Sequence, residues 1–157
     1  MALLVAVLVL GLDQLSKRWA LATLHHGGAS MVLPGPVDLT LVFNRSNAFG
    51  LVPVLGEFSR WGLAGLNIVV VLVLTWIVLR RPMSAVVLLG LGLVIAGAAG
   101  NALDRLQWGA VIDFISAAKL GFVWVFNLAD VSLNVGVGLL LLAGVLAHTR
   151  LGKPDRA

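Results

Sequence analysis

Val111-Ile112-Asp113-Phe114 and Phe126-Asn127-Leu128-Ala129-Asp130 are joined by a short mixed segment, and the second of them runs into an apolar stretch ending at Ala147. Two carboxylates, Asp113 and Asp130, therefore flank one end of a segment of membrane length. Carboxylates in or beside hydrocarbon are costly, and function is the usual reason for keeping them. The chain has seven acidic residues, Asp13, Asp38, Glu57, Asp104, Asp113, Asp130 and Asp155, and most lie in or beside hydrophobic runs. The acidic positions thus organise the reading.

Composition fixes the solvent. Of 157 residues, 60% are hydrophobic and 11% charged, with a mean hydropathy of +1.04. Soluble domains carry roughly a quarter charged residues, so the chain reads as an integral membrane protein, one domain over 1–157. The net charge of +4 forms no basic patch interleaved with aromatics, so no nucleic-acid partner is expected. The absence of cysteine excludes disulfides, thiolate catalysis and Cys metal sites. His25, His26 and His148 make no metal-binding pattern, and no Gly-x-Ser-x-Gly elbow is present.

Apolar runs predict four spanning helices, about 2–24, 61–79, 84–103 and 126–147, each near the roughly 20 residues a bilayer requires. The first lacks the basic start of a cleavable leader and is read as a span, with Lys17 and Arg18 reaching towards its far end. Between the first two spans, Pro and Gly punctuate the chain, and Val37-Asp38-Leu39-Thr40-Leu41-Val42-Phe43 alternates like a strand. Residues 57–61 read as a short interfacial turn, and 104–125 as a second external segment. The expected fold class is an all-α membrane protein of four transmembrane helices with a small extramembrane β-rich segment. Arg80, Arg81, Arg150, Lys153 and Arg156 crowd the short loop and tail, against Arg45, Arg60, Arg105 and Lys119 in two longer loops. Both termini are therefore expected in the cytoplasm, with Asp113 and Asp130 at the outer face.

Two carboxylates held close share a proton, which suits water activation: one accepts a proton while its protonated partner polarises a carbonyl. Asn127 and Asp130 fall on one helical face, and Asn127 is placed to cap the fourth helix. Taken singly, Asp130 is better explained as supporting the helix dipole and Asp113 as a solvated loop residue; it is the combination that points to a site. Asp13 and Lys17 are spaced for an i,i+4 ion pair, read as structural or pocket-positioning. Gly97 and Gly100 permit close helix approach and leave Asn101 and Asp104 on one face. Arg105 is placed either to pair with Asp104 or to hold a polar group of a ligand. Asn44-Arg45-Ser46-Asn47-Ala48-Phe49-Gly50 reads as a turn or as a peptide-binding edge.

With these residues in order, the chain resembles lipoprotein signal peptidase, or signal peptidase II, a bacterial four-span aspartic endopeptidase family. Asp13-Gln14-Leu15-Ser16-Lys17, 44–49, 97–105, 111–114 and 126–130 match its five boxes, with Ser46 and Asn47 departing from the small residues usual in the second. The resemblance implies removal of signal peptides from prolipoproteins before a diacylglyceryl-modified cysteine in the bacterial inner membrane. It implies Asp113 and Asp130 as catalytic, Asn44, Asn101, Arg105 and Asn127 as substrate-binding, and Asp13, Lys17, Gly97, Gly100 and Asp104 as supporting. It implies no metal or cofactor, membrane lipids as surroundings, inhibition by globomycin, and a monomer. The rival reading is a small proton-coupled membrane transporter or accessory protein, which would want carboxylates near the bilayer midplane. A purely structural bundle would need no paired carboxylates.

Overall fold

The computed structural model describes residues 1–27, 30–45 and 57–151. It is mostly helical: α1 (Ala2–Thr23), α2 (Glu57–Arg80), α3 (Ala85–Trp108) and α4 (Leu128–Leu151). Strands β1 (Asp38–Asn44), β2 (Val111–Ser116) and β3 (Val125–Phe126) form one antiparallel sheet in that order. A single 3₁₀ turn over Ala118–Leu120 closes the β2–β3 hairpin, where the Ala117 amide donates to the Trp124 carbonyl. Three helices, α2, α3 and α4, are long and apolar enough to cross a membrane. α1 has the length, but Asp13, Lys17 and Arg18 interrupt it.

α3 is the buried axis of the bundle. Glycine makes this possible, because a Cβ at Gly136 would lie 2.7 Å from the Gly90 carbonyl, and one at Gly92 would lie 2.6 Å from the Ala2 carbonyl. At Gly97 the added atom would meet the Ala129 carbonyl and the Ser132 hydroxyl; at Gly100 it would meet Asp13 Oδ2. These are close approaches that only glycine allows. Gly97→Val is therefore expected to lower detergent-state stability by about 2 kcal/mol or more through overpacking, read as a fall in the midpoint of thermal unfolding. An unchanged midpoint would show that α3 and α4 are not this close.

The sheet seats on the end of α1. Ile112 and Phe114 pack with Ala20, Leu24 and Leu41, and strand alternation turns Asp113, between them, to the opposite side. Asp113 pairs across the ladder with Val42, and Asn44 falls two residues along β1 on the same face. Lys119 ties the hairpin to Asp38 at the start of β1 at 2.7 Å and to the Leu33 carbonyl in the loop before it at 2.6 Å.

The structure corrects several expectations. Asp113 is a buried strand residue, not a loop residue. Residues 57–61 are the first turn of α2 rather than a separate turn. α3 continues past Leu103 through Asp104 and Arg105 to Trp108, where Gly109 takes the left-handed conformation with φ 72° and ends it. Phe126 belongs to β3, and α4 begins at Leu128. Lys17 does not reach towards the helix end; it turns inward and is buried, while Arg18 is exposed. Arg60 and Arg105 sit in helices, and Arg60 caps α3 by donating from Nε to the Arg105 carbonyl and from Nη2 to the Leu106 carbonyl, both at 2.9 Å. Residues 46–50 of the expected substrate edge, and Lys153, Asp155 and Arg156 of the tail, lie outside the described residues.

Candidate active site

Asn127 is the junction of the site. It precedes the first residue of α4, and its Oδ1 accepts from the Asp130 amide at 2.9 Å while Asp130 Oδ2 accepts from the Asn127 amide at 3.3 Å. This reciprocal cap satisfies helix-end donors and fixes the Asp130 carboxylate over the first turn. The Asn127 side-chain amide then donates to Asp113 Oδ1 at 2.7 Å. One asparagine therefore positions both aspartates.

Each aspartate has a second amide partner. Asn44 Nδ2 donates to Asp113 Oδ2 at 2.9 Å, and Asn101 Nδ2 donates to Asp130 Oδ1 at 2.9 Å. Asp113 and Asp130 together line a cavity of about 400 Å³, with Trp124, Val125, Phe126, Val131, Asn134 and Val135 forming apolar walls broken by one amide. Burial, and then the charge of Asp130, push the Asp113 carboxyl up to about 7, against the pull of the Asn44 and Asn127 hydrogen bonds and of Lys17. Asp113 thus keeps its proton to a higher pH than an ordinary carboxyl group while it lies beside a second carboxylate, an arrangement that suits an acid working next to a base.

Behind the aspartates lies a second layer. Lys17 Nζ bridges Asp13 Oδ2 at 2.9 Å and Asp104 Oδ2 at 2.7 Å, and Gln14 Nε2 donates to the same two carboxylates at 3.2 and 3.0 Å. Asp13 Oδ1 accepts from the Ala129 amide at 2.9 Å, one residue before Asp130. Asp104 Oδ2 accepts from the Ile112 amide at 3.1 Å, one residue before Asp113. The two carboxylates outside the cavity thus grip the backbone beside the two within it. Buried charges are tolerable only when paired and hydrogen-bonded, and here the described residues leave no buried side-chain N or O atom without a partner.

The described candidate residues from the sequence, from Asp13 and Asn44 to Asp130, are drawn to this end of the bundle. Asp104 pairs with Lys17, not with Arg105, whose guanidinium donates to the Asn101 carbonyl at 3.3 Å and lies in the field of Asp130, Asp104 and Asp113. His26 instead packs edge-on against Phe43. Sequence reading missed Gln14 as a ligand of both supporting carboxylates, the cavity walls Trp124–Phe126, and Asn134. An amide alone in an apolar run, four residues past Asp130, was the available signal for Asn134.

The profile of the family described as Signal peptidase (SPase) II matches residues 5–146. The chain belongs to the signal peptidase II family. It is 45% identical to the lipoprotein signal peptidase of Caulobacter vibrioides over 92% of this chain and 86% of that protein. It is 38% identical to that of Azoarcus sp. over 98% and 89%. A solved structure described as a bacterial membrane enzyme superposes with a TM-score of 0.83 at 29% identity, covering 99% of this chain and 93% of that one. A signal peptidase II homologue is a protease, and the paired aspartates fit that family. The transporter alternative finds no support: Asp113 and Asp130 share one cavity at one end of α4, and Asp13 is already held by Lys17 and the Ala129 amide.

Proposed function

We propose that this protein is an aspartic endopeptidase that removes the signal peptide of prolipoproteins, cutting before the diacylglyceryl-modified cysteine. The observation that supports it most is the Asn127 bridge, which puts Asp113 and Asp130 on one cavity. In this reading the protein is one domain of four spans, α1 included, with both termini cytoplasmic and the cavity near the outer leaflet. The buried Asp13–Lys17–Asp104 arrangement supports α1 as the fourth span, because it removes two of α1's three charges from lipid. The reading also takes the protein as a monomer surrounded by membrane lipids.

Chemistry follows from the proton count. Asp113, in the protonated form that its raised pKa favours, donates to the scissile carbonyl oxygen. Asp130 takes a proton from water as the water oxygen bonds to the carbonyl carbon. As the C–N bond of the tetrahedral intermediate breaks, one of its hydroxyls returns a proton to Asp113 and reforms the carbonyl, while the proton on Asp130 passes to the leaving nitrogen. The products are a peptide carboxylate and a new amino terminus on the lipidated cysteine. Asn44 and Asn127 hold Asp113, Asn101 and Asn127 hold Asp130, and Arg105 adds positive charge to the field of both aspartates. Gly97 and Gly100 admit α4 and α1 to this distance.

The direct test is purified protein in detergent with a diacylglyceryl-modified precursor, followed on a gel. A shift to the mature size, blocked by globomycin, is expected; an unprocessed precursor would overturn the assignment. The pH profile carries a second expectation. Raising pH through about 7 removes the proton from Asp113, so kcat/KM falls on the alkaline side, and acid protonates the base and lowers it again. A flat profile across the range where the fold survives would contradict proton sharing.

A further inference from the structure

Asn134 stands four residues beyond Asp130 on α4, on the same face and about 6 Å farther along the helix axis. It lines the same cavity as the two aspartates, flanked by Val131 and Val135. Its side chain is exposed. Among the described residues its one hydrogen bond runs from Nδ2 to the Asp130 carbonyl at 2.9 Å. The second N–H on Nδ2, and Oδ1, are left for a ligand.

The surroundings narrow that ligand. Below Asn134 the same side of α4 exposes Leu141, Leu142 and Val145, a strip that meets acyl chains in a bilayer. An amide in hydrocarbon is costly without a partner, so this position suits a polar group that arrives together with acyl chains. Helical peptide carbonyls are already bonded within their own segment in lipid. An ester carbonyl is an acceptor with no donor of its own there.

We infer that Asn134 is a specificity-determining residue, its free side-chain N–H donating to an ester carbonyl on the substrate's lipid-modified residue while the acyl chains lie along Val131 and Val135. The inference rests on the reading of the protein as a processor of lipid-modified precursors and adds what part of the lipid is recognised, and by which residue.

The test uses the full chain in detergent as wild type, Asn134→Leu and Asn134→Gln. Two lipopeptides of one sequence serve as substrates, one carrying a diacyl ester and the other a dialkyl ether of equal chain length. Wild type is expected to prefer the ester by roughly fivefold in kcat/KM, mostly through KM, the range of one neutral hydrogen bond. Asn134→Leu should erase the preference by slowing the ester alone, and Asn134→Gln should restore part of it. Absence of an ester preference in wild type, persistence of it in Asn134→Leu, or equal slowing of both substrates would each overturn the role. Equal slowing would point to a peptide contact or to packing. Failure of wild type on both substrates would sink the processing assignment and the Asn134 role with it, whereas cleavage without the expected preference sinks the Asn134 role alone.

Discussion

Asp113→Asn and Asp130→Asn, made separately, are each expected to reduce processing of a lipidated precursor by on the order of 10³-fold or more, because in the proposed mechanism each removes one of two proton-transfer groups that act as a unit. The proteins should still fold. Asp113 Oδ1 and Oδ2 each accept an amide hydrogen bond, from Asn127 and Asn44, so a carboxamide at this position would turn a donor towards one of them and lose that bond. A compensating gain comes from proton linkage. The folded-state pKa of about 7 lies above the ordinary 3.8, so the folded state binds the proton more tightly between those values. Stability conferred on the protonated form is therefore present at low pH and is lost as pH rises through that window, by about 4 kcal/mol at most. Asp113→Asn cannot titrate. Its thermal midpoint should accordingly fall less than that of wild type as pH is raised from about 5 to about 8. Normal processing by either variant would remove the dyad from the mechanism; parallel pH-stability curves would remove the burial argument.

Lys17→Met is expected to have the largest effect on stability. It leaves Asp13 and Asp104, both essentially inaccessible to solvent, without the cation that bridges them at 2.9 and 2.7 Å. Breaking a buried ion pair by removing one partner costs roughly 3–5 kcal/mol, enough to abolish accumulation of a marginally stable protein. Asp13→Asn should cost less, since Lys17 keeps Asp104. Adding Asp13→Asn to Lys17→Met should recover part of the loss, because one of the two stranded carboxylates is then gone. Thermal unfolding of the two single variants and the double closes the cycle. A Lys17→Met protein as stable as wild type would show that the triad is not a buried electrostatic unit.

The sequence was legible where a local pattern carried the information. Apolar run length located four helices, alternation located β1, and Asn127 before an apolar run announced a helix cap. It was less legible where tertiary context decided. Apolar patterning stops at Leu103, yet α3 continues to Trp108 because Asp104 and Arg105 face the protein interior, where they find partners. Lys17 looked like a residue bound for the membrane surface, but its second partner, Asp104, is 87 positions away and invisible to helical spacing. Asp113 read as a loop residue because β2 forms only when Ile112 and Phe114 find α1. The grip of Asp13 and Asp104 on the Ala129 and Ile112 amides uses backbone groups, which leave no trace in residue identity.

The most direct measurement is the titration of Asp113 itself, by carboxyl-carbon NMR of aspartate-labelled protein in detergent, with the resonance assigned by its absence in Asp113→Asn. A midpoint of about 7 that drops when Asp130 is replaced by Asn is the predicted result, since the charge of Asp130 helps to hold the proton. A midpoint near the ordinary carboxylate value of roughly 4, unmoved by that replacement, would contradict a shared proton and the mechanism built on it.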